Sequence, residues 1–264
     1  MKSLENAPKG KTHTSYQWVY RNAEKDLILF DYQRGRSGEC LHPKAKKHQG
    51  VLQSDGYKVY AALDGLPNLK LANCWAHARR KFFEAKLNDP QKAEIALDFI
   101  QKLYKIEEEA REQSEQNVAK DQLLQRRQEK CPPILSQFKE WLEAQLPKTL
   151  PKTLPKSPIG IAIAYTLNRW AKLAIYATDP YIEIDTNRIE NAIRPLAIGR
   201  KNYLFVGSDE GGNRSAMMYA FFASCHAHNV NPLAWLTDVL MRIATHPISK
   251  IEQLLPHIWK NLRG

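Results

Sequence analysis

Apolar and polar positions alternate most clearly near the start of the chain. Residues 16–20 (YQWVY) and 27–31 (LILFD) are aromatic or branched runs, and the polar stretch 22–26 between them has turn character. That pattern predicts a β-hairpin. Residues 34–48 (RGRSGECLHPKAKKH) carry two glycines with clustered lysine and histidine, which predicts a loop. A short apolar run at 50–55 closes on Asp55-Gly56, a turn signal, and 57–63 predicts one or two helical turns. Residues 69–74 form a fourth extended run, and 75–86 have the apolar spacing of a helix.

From 90 to 146 the period changes. Ile95, Phe99, Leu103 and Ile106 recur at three and four residues with charged and amide side chains between them, the pattern of amphipathic helix. The theme continues at 123–127 and 134–146, on either side of an expected break at Cys131-Pro-Pro. Residues 147–158 place proline at every fourth position or nearly so, which predicts an extended connector. Helical spacing returns at 159–176. Asp185 or Thr186 suits the N-cap of a helix through Ile189 and Ile193 that Pro195 kinks or ends. A short apolar stretch at 203–206 precedes an expected loop, GSDEGGN; 214–228 reads as a buried helix, and Asn231-Pro232 opens a last one. The pattern as a whole predicts a small mixed sheet followed by helices, with a helical block inserted mid-chain.

The chain has 264 residues, 43% of them hydrophobic and 25% charged, the balance of a globular protein. No apolar run reaches the length of a membrane helix, and the N-terminus lacks the apolar core of a secretory signal. Cys40, Cys74, Cys131 and Cys225 read as free thiols in a reducing cytoplasm. Lysine and arginine outnumber aspartate and glutamate by 39 to 28, for a net charge of +11. Such an excess favours a polyanionic partner, with nucleic acid ahead of a membrane surface.

Two acids stand out. Asp55 ends an apolar strand, a rigid place from which a carboxylate can ligate a metal; the alternative is an Asp-Gly turn residue. On a helix Asn187, Glu190, Arg194 and Lys201 share one face, so Glu190 could ligate a metal beside a phosphodiester; the alternative is a solvated face with a Glu190–Arg194 pair. Cys74-x-x-His77 and Cys225-x-x-His228 imitate a divided zinc site, but ordinary thiols and imidazoles on helices explain them better. His77, Arg79, Arg80 and Lys81 lie beside Trp75 and Phe82, and Arg200 and Lys201 lie beside Tyr203. Cations interleaved with aromatic rings suit phosphate contacts and base stacking.

These stretches together resemble transposases of the insertion sequence 66 family. The resemblance rests on YQWVYRN (16–22), GVLQSDGYKVY (50–60), NCWAHARRKFFEA (73–85), SPIGIAIAYTLNRW (157–170), EIDTNRIENAIRPLAIGRKNYLFVGSDEGG (183–212) and NPLAWLTDVL (231–240). It implies an α/β, ribonuclease-H-like core whose Asp-Asp-Glu triad binds two Mg²⁺ ions, with a helical insertion between the second and third acids. Asp55 then corresponds to the second acid and Glu190 to the third. His77, Arg79, Arg80, Lys81, Asn187, Arg194, Arg200 and Lys201 become the DNA-binding set. The implied partners are double-stranded DNA at element ends and target, and further transposase chains; the implied location is the bacterial cytoplasm, at the nucleoid.

On this reading residues 1–89 begin the core, 90–156 form the helical insertion and connector, 157–229 complete the core, and 230–264 form a helical tail. Family members carry the first acid on a strand upstream of the segment resembling LENAPKGKT, and Asp26 and Asp31 are poor substitutes for it. The expectation is therefore a C-terminal portion without the first strand, inactive in strand transfer alone. The alternatives are a non-catalytic DNA-binding or regulatory module, or an RNA-binding helical protein.

Overall fold

The computed structural model describes residues 1–3, 11–112, 120–146 and 154–263. In chain order these form β1 (Lys2–Ser3), β2 (His13–Thr14), β3 (Tyr16–Asn22), β4 (Leu27–Gln33), α1 (Gly38–Ala45), β5 (Gly50–Ser54), β6 (Leu69–Asn73), α2 (Trp75–Ala85), α3 (Pro90–Glu112) and α4 (Lys120–Gln145). They continue with α5 (Pro158–Leu167), α6 (Trp170–Ala174), α7 (Asn187–Tyr203), β7 (Phe205–Gly207), α8 (Asp209–Ala227), α9 (Pro232–Arg242) and α10 (Pro256–Arg263). Short 3₁₀ turns lie at Lys58–Leu63, Ile175–Thr178 and Ile248–Leu254. None of the described helices is long and apolar enough to cross a membrane. Residues 147–153 of the expected connector lie outside the described residues.

The chain divides into two units, one formed by Met1–Cys40 with Arg188–Gly264 and the other by Leu41–Asn187. The fold is mixed α/β, and among the described residues the strands fall into three separate small sheets. In the first unit β1 pairs antiparallel with β2 and parallel with β7, while β3 and β4 form the expected hairpin from Tyr16↔Gln33 to Asn22↔Leu27. Ile28, Phe30 and Tyr32 alternate into a core with Leu196 and Ala216, as a half-buried strand requires. A second cluster gathers Cys225, Val230, Trp235, Val239 and Leu254.

In the other unit β5 and β6 run parallel, in register from Gly50↔Leu69 to Ser54↔Asn73. Trp75, Ala78, Phe82 and Ala85 form the inward stripe of α2 and pack in one core with Ile100 and Leu103 of α3 and Phe138 and Leu142 of α4. The Trp75 indole N–H donates to the Leu173 carbonyl at 2.9 Å, closing that core under α6.

Five local expectations are corrected. The predicted loop at 34–48 contains α1, whose Leu41 and Ala45 sit four residues apart and are buried. No break occurs at Cys131-Pro-Pro, because α4 continues through both prolines. Pro132 and Pro133 are exposed, as are Gln128 and Glu129, whose carbonyls lose their helical donors to the proline rings, so water can reach them. Of the two outcomes expected at Pro195, a kink or an end, the end does not occur; Pro195 and Asn191, four residues earlier, are both exposed, and α7 runs on to Tyr203. Residues 159–176 do not form one helix: Arg169, at φ −114° and ψ 7°, separates α5 from α6. The expected GSDEGGN loop is the first turns of α8, whose cap Ser208 accepts from the Gly211 N–H at 3.0 Å.

Candidate active site

The carboxyl ends of β5 and β6 lie side by side, and two sequence-predicted groups emerge there. Ligands of parallel sheets gather outside such ends. Asp55 directly follows β5 and is exposed, and its Oδ1 accepts the Tyr57 N–H at 2.8 Å, an Asx turn that orients the carboxylate. Gly56 then turns the chain at φ +80°, a conformation glycine adopts without strain. A Cβ on Gly56 would stand 3.1 Å from Arg169 Nε and 3.2 Å from Tyr165 Oη, so the missing side chain lets both groups approach the backbone beside Asp55.

Tyr165 and Arg169 are the functional candidates that sequence reasoning missed. The Tyr165 phenol donates to the Asp55 carbonyl at 3.5 Å. Its ring is approached by two cations, the Arg169 guanidinium at 4.1 Å from the centroid and the Lys81 ammonium at 4.9 Å. Burial raises the Tyr165 phenol above its ordinary value despite the nearby Arg169 charge, so it remains a neutral donor. Burial, with the Asp55 charge in addition, pushes Tyr60 up to about 12. In the sequence Arg169 is marked by its place in the helical 159–176 stretch and in the SPIGIAIAYTLNRW motif, neither of which reveals that it stands beside Gly56.

After β6 the chain places Cys74 at the N-cap of α2 and His77 in its first turn. The Thr186 N–H donates to Cys74 Sγ at 3.3 Å. Burial pushes the Cys74 thiol up, but hydrogen bonds from His77 and Thr186 outweigh it, and the thiol lies below its ordinary value. All four cysteines are free thiols, as expected. The two Cys-x-x-His motifs belong to different units, and Cys225 is a core residue of its own unit.

The other face of α2 carries Arg79 and Arg80, both exposed. With Ala76, Phe83, Tyr104 and Asn187 they line a cleft of about 470 Å³. Lys81 turns away to the Tyr165 ring, so the basic run divides between two places. Asp185 orders the approach to α7: its Oδ1 accepts the Asn187 N–H at 2.9 Å, and its Oδ2 accepts the Tyr104 hydroxyl at 2.9 Å and the Asn187 amide at 2.7 Å. Asp185, one of the two expected caps, thus engages the first residue of this helix. In the first unit, Glu190 is half-buried in the first turn of α7, while Arg194, Arg200 and Lys201 are exposed along it.

Residues 1–214 match the family described as "Transposase IS66 family", and residues 221–257 match the "IS66 C-terminal element". Three proteins of Sinorhizobium fredii are similar along most of the chain. Uncharacterized protein y4qI is 34% identical over 267 residues, covering 95% of this chain and 48% of that protein. For y4hP the identity is 34% over 245 residues, covering 85% and 42%, and for y4jD it is 35% over 242 residues, covering 88% and 46%. The chain thus spans about half the length of the curated relatives it matches. No solved structure matches it. With four fifths of its length matched by one family and the rest largely by that family's C-terminal element, the chain belongs to the IS66 transposase family.

Proposed function

We propose that the chain supplies part of a ribonuclease-H-like, Asp-Asp-Glu centre that cleaves and joins phosphodiester bonds at insertion-sequence ends in DNA transposition, and that alone it is inactive in strand transfer. Asp55 and Glu190 serve as two of its three carboxylates, and double-stranded DNA is the partner. The observation that carries this reading is the setting of Asp55: an exposed, oriented carboxylate at the carboxyl end of a parallel strand pair, with two cations on the adjoining tyrosine ring.

That carboxylate suits Mg²⁺. Its Oδ1 takes the Tyr57 N–H, and among the described residues its Oδ2 has no hydrogen-bond or ion-pair partner, which leaves hard oxygen for a hard cation. Asp55 and Glu190 would hold the metal, which when bound supplies Lewis acidity at the phosphate and lowers the pKa of the attacking water or 3′-hydroxyl. The Asx turn holds Asp55 in one orientation, and the Arg169 and Lys81 charges attract the phosphodiester towards it. Glu190, in the first turn of α7, is favoured there by the helix dipole. His77, Arg79, Arg80, Lys81, Asn187, Arg194, Arg200 and Lys201 supply the DNA contacts.

Duplexes carrying insertion-sequence ends, incubated with the chain and Mg²⁺, read nicking and joining, and Mn²⁺ titration followed by electron paramagnetic resonance reads metal binding. Asp55→Ala and Glu190→Ala should each weaken metal binding and any cleavage while DNA binding persists. If both substitutions are silent in both assays, the chain is a DNA-binding module rather than part of a catalytic centre.

A further inference from the structure

We propose that the cleft beside α2 receives a single DNA nucleotide lifted out of the base stack. The proposal deepens the DNA-cleaving role proposed above and rests on it. Ala76, Arg79, Arg80 and Phe83 occupy positions i, i+3, i+4 and i+7 of α2, a single stripe opposite the one buried in the core. That stripe, with Tyr104 and Asn187, lines the cleft of about 470 Å³. The size lies in the range of small-molecule pockets, about 300–1,000 Å³.

Three features select an unstacked nucleotide over other ligands. First, among the described residues neither Arg79 nor Arg80 has a hydrogen-bond or ion-pair partner, although both are exposed. A basic helix face that only solubilises the protein needs no recess, whereas two available guanidinium groups at a recess suit phosphate oxygens. Second, Phe83 is 58% exposed, an apolar ring left in water at the cleft wall. Stacking a base on such a ring removes both faces from water and is tolerant of sequence. Third, the side of the cleft away from α2 is polar but already ordered. Tyr104 and Asn187 both donate to Asp185, which satisfies that carboxylate and keeps it from repelling an anion as strongly as a bare one would. Tyr104 is raised by burial and by Asp185, so it stays a neutral phenol.

A paired base cannot use this arrangement. Its ring faces are covered within the duplex, which would touch the cleft only through phosphates. An unpaired, extruded or terminal nucleotide presents both its phosphate and its ring face, and extrusion costs least where pairing is already disturbed. Strand cleavage creates such ends, so the cleft would hold a nucleotide flanking the cut.

The test measures binding of the full chain to three fluorescent DNAs: a single strand, a perfect duplex, and a duplex with one bulged 2-aminopurine. The single strand and the bulged duplex should bind more tightly than the perfect duplex, and 2-aminopurine emission should fall on binding as the base stacks. Phe83→Ala should lose about tenfold in affinity for those two DNAs and abolish the quenching, with the perfect duplex unaffected. Phe83→Trp should retain both effects, and Phe83→Leu, which keeps apolar bulk, should behave like Phe83→Ala. Arg79→Ala combined with Arg80→Ala should weaken all three DNAs. If the perfect duplex binds in an Arg79- and Arg80-dependent way but Phe83 variants change nothing, the nucleotide pocket is overturned and the DNA-cleaving role stands. Failure to bind any of the three DNAs overturns both.

Discussion

Arg127 and Glu107 are buried together and joined by two hydrogen bonds, from Nε and Nη2 to the two carboxylate oxygens, each 2.7 Å long. The remaining Nη1 donates to the carbonyls of Tyr176, Asp179 and Ile182 at 2.7, 2.8 and 2.9 Å. One guanidinium thus ties α3 and α4 to the segment that leads through Ile184 to Asp185. Every nitrogen of the fork donates, which is the condition under which a buried pair holds its place.

Removing one member leaves the other charged, buried and uncompensated. Arg127→Met or Glu107→Gln should each cost about 3–5 kcal/mol, and the double variant should cost less than the sum of the two. Urea unfolding of the four proteins checks this. Additive losses would mean that the pair is not the unit that anchors the segment.

Gly56→Ala tests how closely Asp55 depends on its turn. The new side chain meets a positive φ and the Arg169 and Tyr165 side chains together. A stability loss of about 1–2 kcal/mol is expected from the left-handed conformation. Metal affinity should fall with it, as read by Mn²⁺ titration. A variant that binds metal like the wild type would show that the turn does not orient Asp55.

Gly212→Ala tests the docking of α8 on the hairpin. A Cβ there would enter the space of three carbons of the Tyr32 ring. Tyr32 cannot swing away cheaply, because it is buried and its hydroxyl donates to Asp209 at 2.7 Å. Overpacking of about 1–3 kcal/mol or more is expected. Pairing it with Tyr32→Leu should recover part of the loss in a thermal melt.

The His257 ring lies 5.4 Å from that of His228, centroid to centroid, with Lys25 also contributing positive charge. Burial, then these charges, hold His257 below its ordinary value of 6.5. The folded chain therefore binds fewer protons at this site than the unfolded chain over the interval below 6.5. Its stability is full above 6.5 and declines as pH falls through that interval. His257→Gln should narrow the difference in melting temperature between pH 7.5 and 5.5. An unchanged difference would assign the acid sensitivity to other groups.

Much of the local structure is legible in the residues. The hairpin, β5, β6 and α2 follow from periods of two and of three to four, and Asn231 caps α9 as its side-chain chemistry predicts, accepting from Leu233 and Ala234. The misread places are those where burial or hydration overrides a local signal. Leu41 and Ala45 make a helix from a stretch rich in loop residues. Pro132, Pro133 and Pro195 stay inside helices because their exposed turns leave the freed carbonyls open to water.

The sequence by itself determined most of the elements, the basic charge, the family and the two acids to examine, because each of these depends on residue type and on spacings within a few positions. Only the tertiary structure decided what surrounds Asp55. Tyr165 lies 110 residues away, and the motif that contains it does not show that it meets Asp55. It reaches Asp55 because the apolar stripe of α2 packs α5 and its neighbours into one core, and Gly56 leaves room for Tyr165 and Arg169 at the end of β5. The division of one basic run, with Arg79 and Arg80 at a cleft and Lys81 at an aromatic ring, has the same cause: the angle each residue takes around α2 matters only once one face of that helix is buried.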